Sequence, residues 1–157
     1  MTKQMSDMFR SIISNKKITY SALSALVFLA VSLPQTYHQT DYITSYIGTG
    51  STITDQDCPT PGGKFVHTGL FFVILYFLIK MLNNNELSDG LIAKYAFYST
   101  LIFFLLTSND TYALTSSVPG LHDLTNNVGC PTKKGVLIHA LVYLVVLTIV
   151  MYFPKDQ

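Results

Sequence analysis

Four windows, residues 18–33, 65–82, 95–106 and 136–153, are strongly apolar, and none contains an acidic residue. In hydrocarbon a lone segment satisfies its backbone only as a helix, because no water is present to bond exposed N–H and C=O groups. A crossing takes roughly 17–25 residues, and at about 1.5 Å per residue the first two windows reach about 24–27 Å. That length suits a thin, endoplasmic-reticulum-like bilayer better than a sterol-rich one. Charged residues make up only 12% of the chain, against about 25% in an ordinary soluble domain. The expected fold class is therefore an all-α, multi-pass integral membrane protein. The third window is modest, bracketed by Lys94 and Asp110, and taken alone it would pass equally for a buried or re-entrant helix.

An internal repeat raises that third window to a span. Cys58-Pro59-Thr60-Pro61-Gly62-Gly63 corresponds to Cys130-Pro131-Thr132-Lys133-Lys134-Gly135 at an offset of 72. His67 and His139 each stand nine residues beyond their cysteine, at the head of an apolar run. Upstream, Gln35-Thr36-Tyr37 matches Asp110-Thr111-Tyr112 at an offset of 75, and Tyr20-Ser21-Ala22-Leu23 matches Tyr98-Ser99-Thr100-Leu101 at 78. This many identities in order argue for a duplicated helix–loop–helix unit. The reading divides the chain into an N-terminal segment (1–17), a first transmembrane hairpin (18–82, loop 34–64), a linker (83–92) and a second hairpin (93–157, loop 109–135). Since each unit crosses twice, both copies enter the membrane in the same sense.

Orientation follows from the basic residues. Lys3, Arg10, Lys16 and Lys17 precede the first helix and Lys80 and Lys94 flank the linker, against Lys64, Lys133 and Lys134 on the loop side. Positive charge marks the cytosolic side, so the termini and the linker are expected there and the two long loops on the lumenal or outer face. The polar N-terminal stretch lacks a cleavage site after the first apolar run and is read as retained, with the first helix acting as its own insertion signal. The basic residues form no run longer than Lys16-Lys17 or Lys133-Lys134, which leaves no stripe for a nucleic-acid backbone. Tyrosine and phenylalanine, ten of each, crowd the window edges as an aromatic belt.

The loops are too long to be mere connectors. Residues 42–47 and 51–54, separated by Gly-Thr-Gly, have the β-branched and aromatic content of short strands, so a small β-hairpin cap is expected in the first loop. The only two cysteines, Cys58 and Cys130, fall one in each loop on the face expected to be oxidising, and the favoured reading is a disulfide between the hairpins. A thiol oxidoreductase would need a C-x-x-C or a resolving thiol nearby. Asn109-Asp110-Thr111 is a glycosylation sequon, but it lies almost at a helix end and is treated as incidental.

His67 and His139 occupy equivalent places. Paired histidines near a membrane boundary can ligate one haem or a metal, which is the alternative reading: a small cofactor-binding or accessory subunit. The simpler one is architectural. Each imidazole would bond the C-P-T-x-x-G turn beneath it, with Pro59 and Pro131 fixing φ, Thr60 and Thr132 capping the helix, and Gly63 and Gly135 permitting a tight turn. On that reading the chain carries no catalytic residue, metal or cofactor. Without an acidic residue inside a span, the coupling carboxylate of a proton-driven transporter is missing as well.

The element C-P-T-x-x-G-x-x-x-H leading into an apolar helix, at 58–67 and more fully at 129–142, resembles small membrane proteins of large icosahedral double-stranded DNA viruses. The likeness covers the two loop-to-helix junctions, some 25 residues each, and leaves the N-terminal segment and first loop unmatched. It implies a virion component in the internal lipid membrane that contacts minor capsid proteins through loops or termini. The expected function is thus a non-enzymatic structural or assembly protein, partnered by lipid and by capsid-type or other membrane proteins within a larger assembly.

Overall fold

The computed structural model describes residues 16–48, 50–83 and 86–152. Within them the chain is all-helical: α1 (Lys16–Ser32), α2 (Pro34–Ile47), α3 (Pro61–Leu82), α4 (Asp89–Leu106), α5 (Asn109–Ser116) and α6 (Lys133–Tyr152). Helices α3, α4 and α6 are each long and apolar enough to cross a membrane, while α1 and α2 pass that test together as a pair bent by 60°. Three to four candidate spans result.

Local chemistry sets each boundary. Pro34 has no N–H to continue the α1 ladder and forces Leu33 into an extended conformation (φ −69°, ψ 141°), so the helix stops and a new one begins with Pro34 in its first turn. Gly48, left-handed at φ 76°, closes α2. Thr60, Ser88 and Ser108 cap α3, α4 and α5, each side chain accepting an amide of the first turn.

The four long helices form a ring. Helix α1 packs most extensively on α6 and α3 on α4, while the α1–α3 and α4–α6 contacts complete the circuit. At the centre sit four buried aromatics, one per helix. Phe71 stacks on Phe103 at 4.3 Å between ring centroids, and Phe28 meets Phe103 at 5.2 Å and Tyr143 at 5.1 Å. Below them lie Leu75, Ile79 and Leu147. The outward face is no less apolar: Phe77, Leu105, Leu141, Val145 and Ile149 are all more than half exposed. Water would penalise such a surface and hydrocarbon does not, so the fold is that of an integral membrane protein. Core hydroxyls such as Ser24 Oγ and Thr100 Oγ1 return to their own helix, donating to Tyr20 O (2.8 Å) and Ala96 O (2.7 Å), whereas the buried Ser99 Oγ has no partner among the described residues.

Three expectations change. Residues 42–47 lie in α2 and not in a strand: Pro34 starts and Gly48 ends a helix whose inward residues Tyr37, Thr40 and Thr44 recur at helical spacing, and this outweighs the β-propensity of Tyr, Ile and Thr. In place of a hairpin cap, one isolated bridge, Ile53 to Pro59, forms inside the C-P-T turn, and Thr125 to Pro131 repeats it. The linker is shorter than expected because Ser88 caps α4 at Asp89 and winds residues 89–92 into the helix. Finally, the Tyr20–Tyr98 correspondence at 78 gives way to a constant 75, under which the buried Ser24 and Phe28 correspond to the buried Ser99 and Phe103.

Candidate functional site

The break after α1 creates a need that the rest of the site answers. With the ladder interrupted at Pro34, the carbonyls of Ala30 and Val31 lose helical partners next to an apolar core, where an unpaired carbonyl costs about 1–3 kcal/mol. Thr36 Oγ1 donates to Ala30 O, and His67 Nδ1, arriving from α3, donates to Val31 O at 2.7 Å. The second half has the same arrangement at the end of α4. Thr111 Oγ1 donates to Leu105 O (2.7 Å) and His139 Nδ1 to Leu106 O (2.7 Å), although Ser108 stands where the first half has Leu33 and no proline is present.

A carbonyl only accepts, so each imidazole carries its proton on Nδ1. The other nitrogen, Nε2, faces Thr40 Oγ1 at 2.7 Å in the first half and Thr115 Oγ1 at 3.1 Å in the second. Each ring also lies flat on a buried tyrosine: His67 on Tyr37 (3.5 Å between centroids, 3° between planes) and His139 on Tyr112 (3.8 Å, 10°). The histidines therefore clamp the helix break. They do not bond the C-P-T-x-x-G turn, because their position in the second turn of α3 and α6 aims them at the neighbouring helix end. With both nitrogens of each ring engaged, axial ligation of iron would have to break one of these bonds. Among the described residues no three or more His, Cys, Asp or Glu side chains gather as a metal-holding group.

The turn itself works by close approach. Thr60 N donates to Thr52 O (3.0 Å) and Thr132 N to Leu124 O (2.9 Å). Those same carbonyls press against Gly63 and Gly135, where any Cβ would overlap them. The glycines are thus needed for contact and not for a left-handed turn. Pro59 and Pro131 supply the bridge residues, and Thr60 and Thr132 cap the following helix through Oγ1, at 2.9 and 3.1 Å from the Gly63 and Gly135 amides.

Cys58 and Cys130 come together at disulfide distance, with Cα atoms 5.2 Å apart, inside the 4.4–6.8 Å range such a bond requires. A second cross-link between the halves is Lys64 Nζ to Asn109 Oδ1 (2.8 Å), which occupies the side chain of the sequon asparagine. In the first loop the Asp41 carboxylate accepts from Ser51 Oγ and Thr52 N, both at 2.6 Å, and these bonds hold its pKa below the ordinary carboxylate value.

Sequence reasoning paired the histidines, prolines and glycines but missed Thr40 and Thr115. Their signal was visible as T-Y-x-x-T at 36–40 and 111–115. The acceptors, Val31 O and Leu106 O, are backbone atoms and have no side-chain signature. No protein-family model matches the chain, and searches of curated proteins and of solved structures found none similar to it.

Proposed function

We propose that this is a non-enzymatic, four-crossing membrane protein, built as two tandem hairpins, that ties a bilayer to a surrounding protein lattice through its loops. The observation that carries the reading is where the repeated polar groups are spent. Both histidines, their threonines and the paired cysteines bind other parts of the same chain. Such a site holds two polar caps rigid at one end of the bundle and leaves no imidazole nitrogen poised for proton transfer. The exposed face of α2 adds to this: Tyr42, Ile43, Tyr46 and Ile47 are all more than half exposed on a helix that also carries His38, Gln39 and Asp41. The α1–α2 bend then marks the bilayer surface, with α1 as the fourth crossing. The viral resemblance makes the internal membrane of a virion the proposed location and capsid-type proteins the proposed partners.

Cross-linking mass spectrometry on the intact source membrane or particle tests this. Lysine-reactive linkers are expected to join Lys64, Lys133 or Lys134 to structural proteins outside the bilayer. If loops and termini yield only links within this chain, the anchoring role is wrong.

A further inference from the structure

At the end of the bundle away from the cysteines, where the chain passes from α3 to α4, a partly open cavity of about 200 Å³ lies between α1, α4, α6 and the link. Its walls are mostly apolar, with Leu147 and Met151 of α6 among them. Three charged residues line it, and each already has a partner. Lys17 Nζ donates to Met151 O (2.9 Å) and stands over the Tyr152 ring, and Glu86 and Lys94 are likewise engaged. A charged headgroup would find no uncommitted counter-ion in this lining, so the cavity suits a neutral ligand.

Two buried polar atoms set the chemistry of that ligand. Asn83, 3% exposed at the link end, donates Nδ2 to Leu87 O (3.1 Å), while its Oδ1 has no partner among the described residues. Ser99, fully buried and further along α4, also leaves its Oγ without one. The repeat shows that the sequence alone does not impose this. Ser24, 75 residues earlier, donates its Oγ to Tyr20 O (2.8 Å), and Ser99 has Tyr95 at the same spacing yet does not make the corresponding bond. Of the two serines, the one left open is the one that lines the cavity. A buried acceptor and a buried hydroxyl in this condition call for a donor and an acceptor from whatever occupies the space.

We propose that the cavity binds an acylglycerol with a free hydroxyl. The hydroxyl donates to Asn83 Oδ1 at the link end, an ester carbonyl accepts from Ser99 Oγ deeper in the bundle, and the start of the acyl chain lies against Leu147. In a bilayer the hydroxyl of such a lipid sits nearest water with its esters below, which is the order of the two residues along the cavity. An apolar cavity of about 150 Å³ holds benzene, so this one admits the glycerol ester and the first methylenes. Its open side, beside the part-exposed Tyr98 and Val150, passes the rest of the chain to the lipid. A sterol or a long-chain alcohol would leave Ser99 Oγ unpaired, and a triacylglycerol would leave Asn83 Oδ1 unpaired. The inference rests on the membrane embedding of the bundle and is independent of the lattice-anchoring role.

The test is native mass spectrometry of the delipidated full chain in phosphatidylcholine nanodiscs doped with dioleoylglycerol, monooleoylglycerol, oleyl alcohol or trioleoylglycerol. One dioleoylglycerol or monooleoylglycerol is expected to be retained roughly tenfold more tightly than oleyl alcohol or trioleoylglycerol, the factor set by one hydrogen bond to a buried group otherwise unpaired. Ser99→Ala should remove the margin over oleyl alcohol and keep the margin over trioleoylglycerol. Val150→Trp, which fills the open side, should abolish retention, with the helical circular dichroism of the parent as the check on both variants. Retention of both acylglycerols supports a membrane lipid as the source, and retention of monooleoylglycerol alone narrows the ligand to the single-chain form. Equal retention of oleyl alcohol and the acylglycerols overturns the proposal, as does acylglycerol binding that neither substitution changes, or no retention at all. Failure of the chain to enter nanodiscs would instead overturn the membrane reading beneath it.

Discussion

Replacing His67 with leucine isolates the helix-break clamp. The substitution keeps a side chain of similar bulk but makes it apolar, and so removes the donor to Val31 O, the contact with Thr40 and the face that lies on Tyr37. A buried carbonyl left without its partner costs about 1–3 kcal/mol, and the lost ring stack about 0.5–1.5 kcal/mol. Thr40 loses little, since its hydroxyl lies 3.1 and 3.0 Å from Thr36 O and Tyr37 O and returns to the helix. Leucine recovers part of the loss through its own burial, so the net destabilisation is about 2 kcal/mol, or roughly thirtyfold in the folded-to-unfolded ratio. Reversible unfolding in mixed micelles with rising SDS measures it. His67→Gln, which keeps an N–H donor but not the aromatic face, should cost about half as much. Tyr37→Leu should be non-additive with His67→Leu by about 0.5–1.5 kcal/mol, because the two remove one shared contact. A loss below about 0.5 kcal/mol for His67→Leu, or full additivity with Tyr37→Leu, would show that the imidazole is a passenger. A Soret band in the parent protein that vanishes in His67→Gln or His139→Gln would show that it is a ligand.

Gly63→Ala and Gly135→Ala should each destabilise by about 2 kcal/mol, because the new methyl meets a backbone carbonyl that cannot swing away; Gly69→Ala, with open space around it, should be neutral or stabilising in the same assay. A non-reducing digest should yield a peptide containing Cys58 linked to one containing Cys130. The separation of 72 residues puts the chain-entropy contribution of that bond at about 4 kcal/mol, and two free thiols would show the loops to be held by packing alone. Protease or thiol reagents applied from the cytosolic side should reach single cysteines placed at Glu86 or Ser88 and miss both loops, and labelling of one loop from that side would replace two hairpins with an odd number of crossings. The depressed Asp41 pKa means that its stabilising bonds are fully present above the ordinary carboxylate pKa and are lost as pH falls through its lower, folded-state value. Hydrogen exchange at the Thr52 amide should therefore quicken, beyond the intrinsic trend, only in strongly acidic buffer, and Asp41→Asn should remove that step.

What was legible in the sequence follows from which groups carry the signal. Apolar length revealed α3, α4 and α6, because a lipid-facing helix must be apolar on all sides. The repeat was legible at Cys58, His67 and their counterparts because each does a job that few other residues can. Helix α2 was not: Tyr42 to Ile47 favour strands locally, and the helix wins through Pro34, Gly48 and the inward placement of Tyr37 and Thr40, a tertiary effect. The correspondence of α1 with α4 is hard to read for a related reason. Tyr-Ser recurs at 20 and 98, an offset of 78, while the buried Phe28 and Phe103 stand 75 apart, and any large apolar residue would imitate them in a sequence of this composition. The purpose of the histidines stayed hidden because their acceptors are main-chain oxygens.

A bond between Cys58 and Cys130, whose Cα atoms stand 5.2 Å apart, alters the connectivity of the molecule as well as its stability. Together with the chain between them, the two cysteines close a loop that takes in α3, α4 and α5, and α1–α2 and α6 leave it as tails that lie side by side. A nick in the link near Ser88 opens the loop but frees neither half, since the sulfurs still join them. Reduction alone frees neither half, since the peptide still does. Dismantling the protein thus takes two independent events, a cut in the link and a reduction of the cysteine pair, and exposure to either one leaves a single covalent object.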